Sequence, residues 1–154
     1  SPFDLSGGQK RRVALAGVMA MNPKILILDE PAAGLDPKGR REILGGIKKY
    51  REKSGTTVVI VSHSMEDMAM YCDRVVVMSN AKMLLNGTCK EVFSQHQLLK
   101  KHGLDVPEIT NLVLKLNEIG VNIPTDIYTV EDAVNALINL KNASCGKKEA
   151  DDVI

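Results

Sequence analysis

Leu5-Ser6-Gly7-Gly8-Gln9 sets a hydroxyl and two glycines just ahead of a basic, helix-forming stretch. Glycines carry no Cβ, so backbone N–H groups there can face an anion. The dipole of a following helix adds positive potential at the same place. The Ser6 hydroxyl is a donor for a phosphate oxygen. The same residues also make an ordinary N-cap, and the pentapeptide alone does not separate the two readings.

A second group is Ile25-Leu26-Ile27-Leu28-Asp29-Glu30, an apolar run ending in two acids. A carboxylate at the C-terminal end of a parallel strand lies where such sheets bind ligands. Asp29 is a hard oxygen ligand for Mg²⁺, directly or through water. Glu30 is placed to orient and deprotonate an attacking water. The competing reading is a solvated turn, weakened by the apolar strand and by Asp36 in the next loop. The third group is the β-branched run 58–61 ending in Ser62-His63. A histidine there is positioned for a transferring phosphoryl group, although a lone histidine is more often a satisfied structural one. His96 and His102 have no comparable setting. Lys10, Arg11 and Arg12 read as a solvated helix face, and Met65, Met68 and Met70 as core filler.

These groups need elements to hold them. Residues 7–21 read as a helix stopped by Asn22-Pro23. Residues 25–28 suit a strand buried on both faces of a parallel sheet. Residues 32–37 form a loop containing Gly34, and residues 38–53 a helix closed by Ser54-Gly55. Residues 56–61 make another buried strand and 65–72 a short helix. Residues 74–78 and 82–85 read as strands joined by a turn at Ser79-Asn80, and 88–102 as a helix. Such alternation implies βαβ units and a parallel sheet. From Gly103 the pattern changes. Two amphipathic helices, 107–119 and 129–142, make a small helical appendage, with Thr129 and Asp132 as a near capping box. Residues 143–154 read as a disordered tail. The predicted divisions are therefore 1–102, 103–142 and 143–154.

Composition narrows the function. With 20 Lys+Arg against 19 Asp+Glu, the net charge is +1, which argues against a nucleic-acid partner. Aromatics at 3% leave few platforms for stacking bases. No apolar run is long enough to cross a bilayer. Cys72, Cys89 and Cys145 are widely spaced, which fits free thiols better than a disulfide framework or zinc site. The chain opens on Ser1 and reaches its first motif within five residues, which points to a piece of a longer protein.

Taken in order, these motifs resemble the C-terminal half of an ATP-binding-cassette (ABC) ATPase across residues 1–95. LSGGQ at 5–9 matches the signature motif, Asp29 and Glu30 the Walker B aspartate and catalytic glutamate, residues 33–36 the D-loop and His63 the switch histidine. The resemblance implies an α/β fold: part of a P-loop NTPase parallel sheet lacking its Walker A half, plus a helical C-terminal appendage. It implies ATP and Mg²⁺ as cofactors. Ser6, Gly7, Gly8 and Gln9 would bind ATP held by a second ATPase subunit, in a homo- or heterodimer, and Asp36 would also bind ATP. Asp29 would hold Mg²⁺, in the main through water, and Glu30 and His63 would act in catalysis.

A finer resemblance is to the ATPase subunits of energy-coupling-factor and cobalt/nickel-type importers. It rests on residues 31–40, on Gly87-Thr88 and Glu91-Val92-Phe93, and on residues 103–110. Ala32 stands where threonine is more usual. The implied partners are a transmembrane transporter component and a substrate-binding membrane subunit, with this chain peripheral at the cytoplasmic face of the membrane. Cobalt, nickel or a vitamin would be the cargo. The sequence contains no GxxxxGK[ST], so the phosphate cradle and its lysine are missing. Alone, the chain is expected to be inactive. Two other readings stay open: a non-catalytic half that only donates a signature surface, and an ABC ATPase of DNA repair or translation.

Overall fold

The computed structural model describes residues 2–151, with the side chains of 3–142. The chain divides into two compact units, Ser1–Asp67 and Met68–Ile154. The composition break at Gly103 lies inside the second.

In the first unit, a 3-10 turn at Pro2–Asp4 leads into helix α1 (Gly7–Ala20). Strand β1 (Ile25–Asp29) follows, then α2 (Pro37–Ser54), β2 (Thr57–Val61) and the start of α3 (Met65–Tyr71). Helix α2 begins at a proline, whose fixed φ suits a first turn. It ends at Gly55, in the left-handed conformation at φ 69, as expected for a glycine C-cap. β1 and β2 pair in parallel, Ile25 opposite Thr57 through to Asp29 opposite Val61. Leu26, Ile43, Leu44 and Ile47 are the deeply buried side chains here. Tyr50 of α2 donates its hydroxyl hydrogen bond to the Met19 carbonyl, 3.2 Å away, and so ties α2 to the end of α1.

The second unit continues from α3 into the strands β3 (Arg74–Ser79) and β4 (Lys82–Thr88). Helices α4 (Cys89–Phe93), α5 (His96–Lys101), α6 (Glu108–Glu118) and α7 (Val130–Asp151) follow. Val113, Ile123, Ile127 and Ala133 form a small core of their own between α6 and α7. Asn117 stitches the α6–α7 connection by bonding the Val113 and Ile123 carbonyls and the Ile123 N–H. Lys90 pairs with Asp126 at 2.7 Å, and the Phe93 and Tyr128 rings lie 5.5 Å apart.

Several expectations need correction. The sheet is not one parallel layer: β3 and β4 form a separate antiparallel hairpin. Its two-residue turn is Asn80-Ala81, both at positive φ, one residue later than expected and of the sign such hairpins require. Neither β1 nor β2 is buried on both faces. Leu26, Leu28, Val58 and Ile60 point inward, but Ile27 is 68% and Val61 52% exposed. A run of branched apolar residues cannot show which face has a neighbour. The single helix expected over 88–102 is two short ones, broken at Ser94-Gln95, with Thr88 capping the first. Met70 is exposed and only Met68 of its cluster is buried. The backbone expected to be disordered from Ala143 is helical as far as Asp151. That stretch has no proline and is rich in helix-forming Ala and Lys. The rest of the tail, residues 152–154, lies outside the described residues.

The open face of the β1–β2 pair carries Ile25, Ile27, Val59 and Val61. Exposed apolar strands of this kind favour self-association. The double substitution Ile27→Thr and Val59→Thr is expected to lower the weight-average mass in sedimentation equilibrium while leaving the circular dichroism spectrum unchanged.

Candidate nucleotide-handling site

The parallel register carries Glu30 and the 62–64 loop to the same end of the two strands. The Glu30 N–H donates to the Val61 carbonyl at 2.9 Å, adding one bond beyond the strand ladder. Glu30 itself sits at φ 44, a left-handed conformation uncommon outside glycine, asparagine and aspartate. That turn aims its carboxylate across to β2. Glu30 Oε1 accepts from the His63 backbone N–H at 3.0 Å and lies 2.7 Å from His63 Nδ1. Ser62 Oγ donates more weakly to Oε2 at 3.4 Å.

The two residues read as catalytic are therefore in direct contact. The His63 imidazole hydrogen bond holds the Glu30 carboxyl below its usual value of 4.5; burial opposes it, and the His63 N–H and Ser62 add to the lowering. An ionised carboxylate only accepts, so Nδ1 must be the donating nitrogen. Nε2 then points away with the exposed edge of the ring, and carries a second proton only in the imidazolium. His63 is 86% exposed at its side chain, which leaves that edge open to a ligand.

Around this couple is a pocket of about 140 Å³, with Pro31 to Leu35, Arg40, Leu44 and Asp67 among its walls. Asp29 ends β1 with an exposed carboxylate that no hydrogen bond or ion pair engages among the described residues. Among the described residues, no cluster of three or more His, Cys, Asp or Glu forms a metal cage. One free carboxylate fits Mg²⁺, which is typically held by one or two carboxylates together with water and substrate phosphates.

The other predicted residues lie apart from the couple. Ser6 caps α1: its Oγ accepts from the Gln9 N–H at 3.3 Å, and Gln9 Oε1 accepts from the Ser6 N–H at 2.8 Å. Both side chains are thus engaged with the helix start. Gly7 has open space about it, while a Cβ on Gly8 would lie 3.2 Å from Leu35 Cδ2. Asp36 caps α2 by accepting from the Gly39 N–H at 3.0 Å. The sequence missed three basic side chains. Arg11 donates to the Ala33 carbonyl and Arg12 pairs with Glu42 at 3.1 Å, so neither is simply solvated. Arg40 binds Asp67. Arg11 and Arg12 had read as a solvated helix face and Arg40 only as part of the 31–40 motif, and only tertiary structure supplies their partners.

The chain belongs to the ABC transporter ATP-binding family. The ABC transporter family profile matches residues 1–33. The chain is 54% identical over 140 residues to the energy-coupling factor transporter ATP-binding protein EcfA2 of Clostridium perfringens, covering 91% of this chain and 49% of that protein. It is 56% identical over 133 residues to EcfA2 of Caldanaerobacter subterraneus, covering 86% and 46%. The chain spans about half the length of the curated relatives it matches. Among solved structures it resembles cbiO1 from Clostridium perfringens, part of the ABC transporter complex cbiONQ. There the TM-score is 0.57 at 44% identity, over 73% of this chain and 45% of that one. The mixed α/β fold with its small sheets is similar to that structure. No helix among the described residues is long and apolar enough to cross a membrane.

The sign of the Glu30 shift fixes a pH dependence. A lowered carboxyl contributes stability that is present above its ordinary value and lost as the pH falls through the lowered one. The difference in Tm between the protein and its Glu30→Gln variant should therefore shrink as the pH is taken below 4.5, as followed by scanning calorimetry.

Proposed function

We propose that this chain is the C-terminal part of the ATP-hydrolysing subunit of an ABC importer of the energy-coupling-factor type. The observation that carries the proposal is the Glu30–His63 contact of 2.7 Å at the C-terminal ends of two parallel strands. The relatives named above, energy-coupling factor ATP-binding proteins, support the same reading. Residues 1–102 would be the ATPase part and 103–142 a helical extension.

In this reading Glu30 orients a water and takes its proton on Oε2, the oxygen held only by the weak Ser62 bond. His63 keeps Oε1 occupied through its N–H and Nδ1. Its Nε2 faces a phosphoryl oxygen and donates to it as the imidazolium. Asp29 would hold Mg²⁺, in the main through water, and the bound ion would supply charge neutralisation at the phosphates. Ser6, Gly7, Gly8 and Gln9 offer the start of α1 to ATP bound by a second ATPase subunit. Asp36, which caps α2, joins them in binding ATP. The further partners are a transmembrane component and a substrate-binding membrane subunit, with the ATPase peripheral at the cytoplasmic face. The cargo is cobalt, nickel or a vitamin. With no GxxxxGK[ST], the chain alone does not turn ATP over.

Two variants of the full-length protein test this. Glu30→Gln should lower ATP turnover by about 100-fold or more, the share general-base catalysis commonly supplies, while ATP-driven dimerisation in size-exclusion chromatography persists. Loss of dimerisation together with turnover would instead make Glu30 structural. Gly8→Asp should stop dimer closure, because a carboxylate meets the phosphate and any side chain there crowds Leu35. Unchanged hydrolysis in that variant would contradict the shared-site role of the signature.

A further inference from the structure

We infer that Arg40 and Asp67 are positioning residues, an ion pair that fixes the loop after β1 against the loop after β2 and so holds Glu30 to His63. For its part in turnover this inference rests on the function proposed above.

The strand register fixes only the roots of the two loops. Beyond Asp29 and Val61, one backbone bond links them, from the Glu30 N–H to the Val61 carbonyl. The remaining bonds between the loops, from His63 and Ser62, all end on the flexible Glu30 side chain. Arg40 and Asp67 supply a link that does not run through it. Arg40 Nε lies 2.9 Å from each Asp67 carboxylate oxygen, and Nη2 lies 2.7 Å from Oδ2. Asp67 is buried, 7% exposed. Both residues line the pocket that contains Glu30 and His63.

Each partner is wired to one loop. Arg40 lies in the first turn of α2, and its N–H donates to the carbonyl of Asp36, the residue that closes the 31–36 loop. Asp67 lies in the first turn of α3, and its N–H donates to Ser64 Oγ at 3.2 Å. The Ser64 N–H donates to Ser62 Oγ, which in turn reaches Glu30 Oε2. The contacts close a ring: Glu30, Ser62, Ser64, Asp67, Arg40, Asp36 and back along the loop to Glu30. Charges on Glu66 and Glu30 also act on the Arg40 guanidinium.

The chemistry of the pair suits a strut. A planar guanidinium meets a carboxylate with several bonds and one orientation, which a lysine ammonium does not impose. A buried carboxylate without its partner is strongly unfavourable, so the loops cannot separate without exposing that charge.

The test uses full-length protein carrying Arg40→Lys, Asp67→Asn or both. Two readouts separate positioning from simple stability: the split between kcat and KM for ATP, and hydrogen exchange at the His63 amide, whose N–H is held by Glu30. The expected result is a fall in kcat of about tenfold or more with KM unchanged, the scale of small misplacements of reacting groups. The His63 amide should exchange faster by a similar factor. The double variant should be no worse than the poorer single one, because both changes break one strut. Losses that multiply, a raised KM at normal kcat, or an unaltered His63 amide would overturn the inference. Should Asp67→Asn fail to fold, Arg40→Lys decides alone, since it keeps the charge opposite Asp67. If Glu30→Gln leaves turnover intact, the ATPase reading fails, while the His63 amide still reports on the strut.

Discussion

The parallel pairing of β1 with β2 sets Asp29 opposite Val61, and the Glu30 N–H extends that ladder by one bond. Residues that are 33 apart in sequence meet because of it. Parallel neighbours need a crossover of a dozen or more residues, and α2 with its flanking loops supplies one. A slip of one residue would turn every side chain of a strand to the other face. Asp29, Glu30 and His63 would then lose their common end. The packing of α2, with Ile43, Leu44 and Ile47 buried along one side, is what opposes that slip.

The helices of the first unit are set by their ends as much as by their faces. Helix α1 has no buried residue at all, yet begins with a reciprocal Ser6–Gln9 capping box. Helix α2 starts at Asp36 and Pro37 and stops at Gly55. The candidate site is thus assembled from strand ends and helix starts, where backbone groups are still available. The second unit is built differently. Its appendage carries a separate apolar core and buried polar ties such as Thr110 Oγ1 to the Ile127 carbonyl at 2.7 Å.

Much of this was legible in the residues themselves. Apolar runs marked β1 and β2, Asn22-Pro23 and Gly55 marked helix ends, and the motif order pointed to the family before any coordinate. Pairing partners were legible only in part. The turn that folds β3 back on β4 was legible, but nothing local showed that this hairpin forms a sheet separate from β1 and β2. The face of β1 that lies open carries the same branched residues as the face that is buried. Long-range side-chain contacts were also invisible. Asp67 reads as one more acid in the first turn of a helix, and only folding brings it to Arg40, 27 residues earlier. The Glu30–His63 contact was missed for the same reason, although both residues had been singled out.

The left-handed backbone of Glu30 sets thermal robustness against chemistry at one position. A residue with a Cβ held there costs roughly 1–2 kcal/mol. A contact as exposed as that of Glu30 with His63 returns about 0–1 kcal/mol. Glycine adopts the same φ without the penalty. Selecting heat-resistant variants of this chain by survival alone would therefore enrich glycine at position 30 and discard the carboxylate. A stability screen needs an activity filter at this residue.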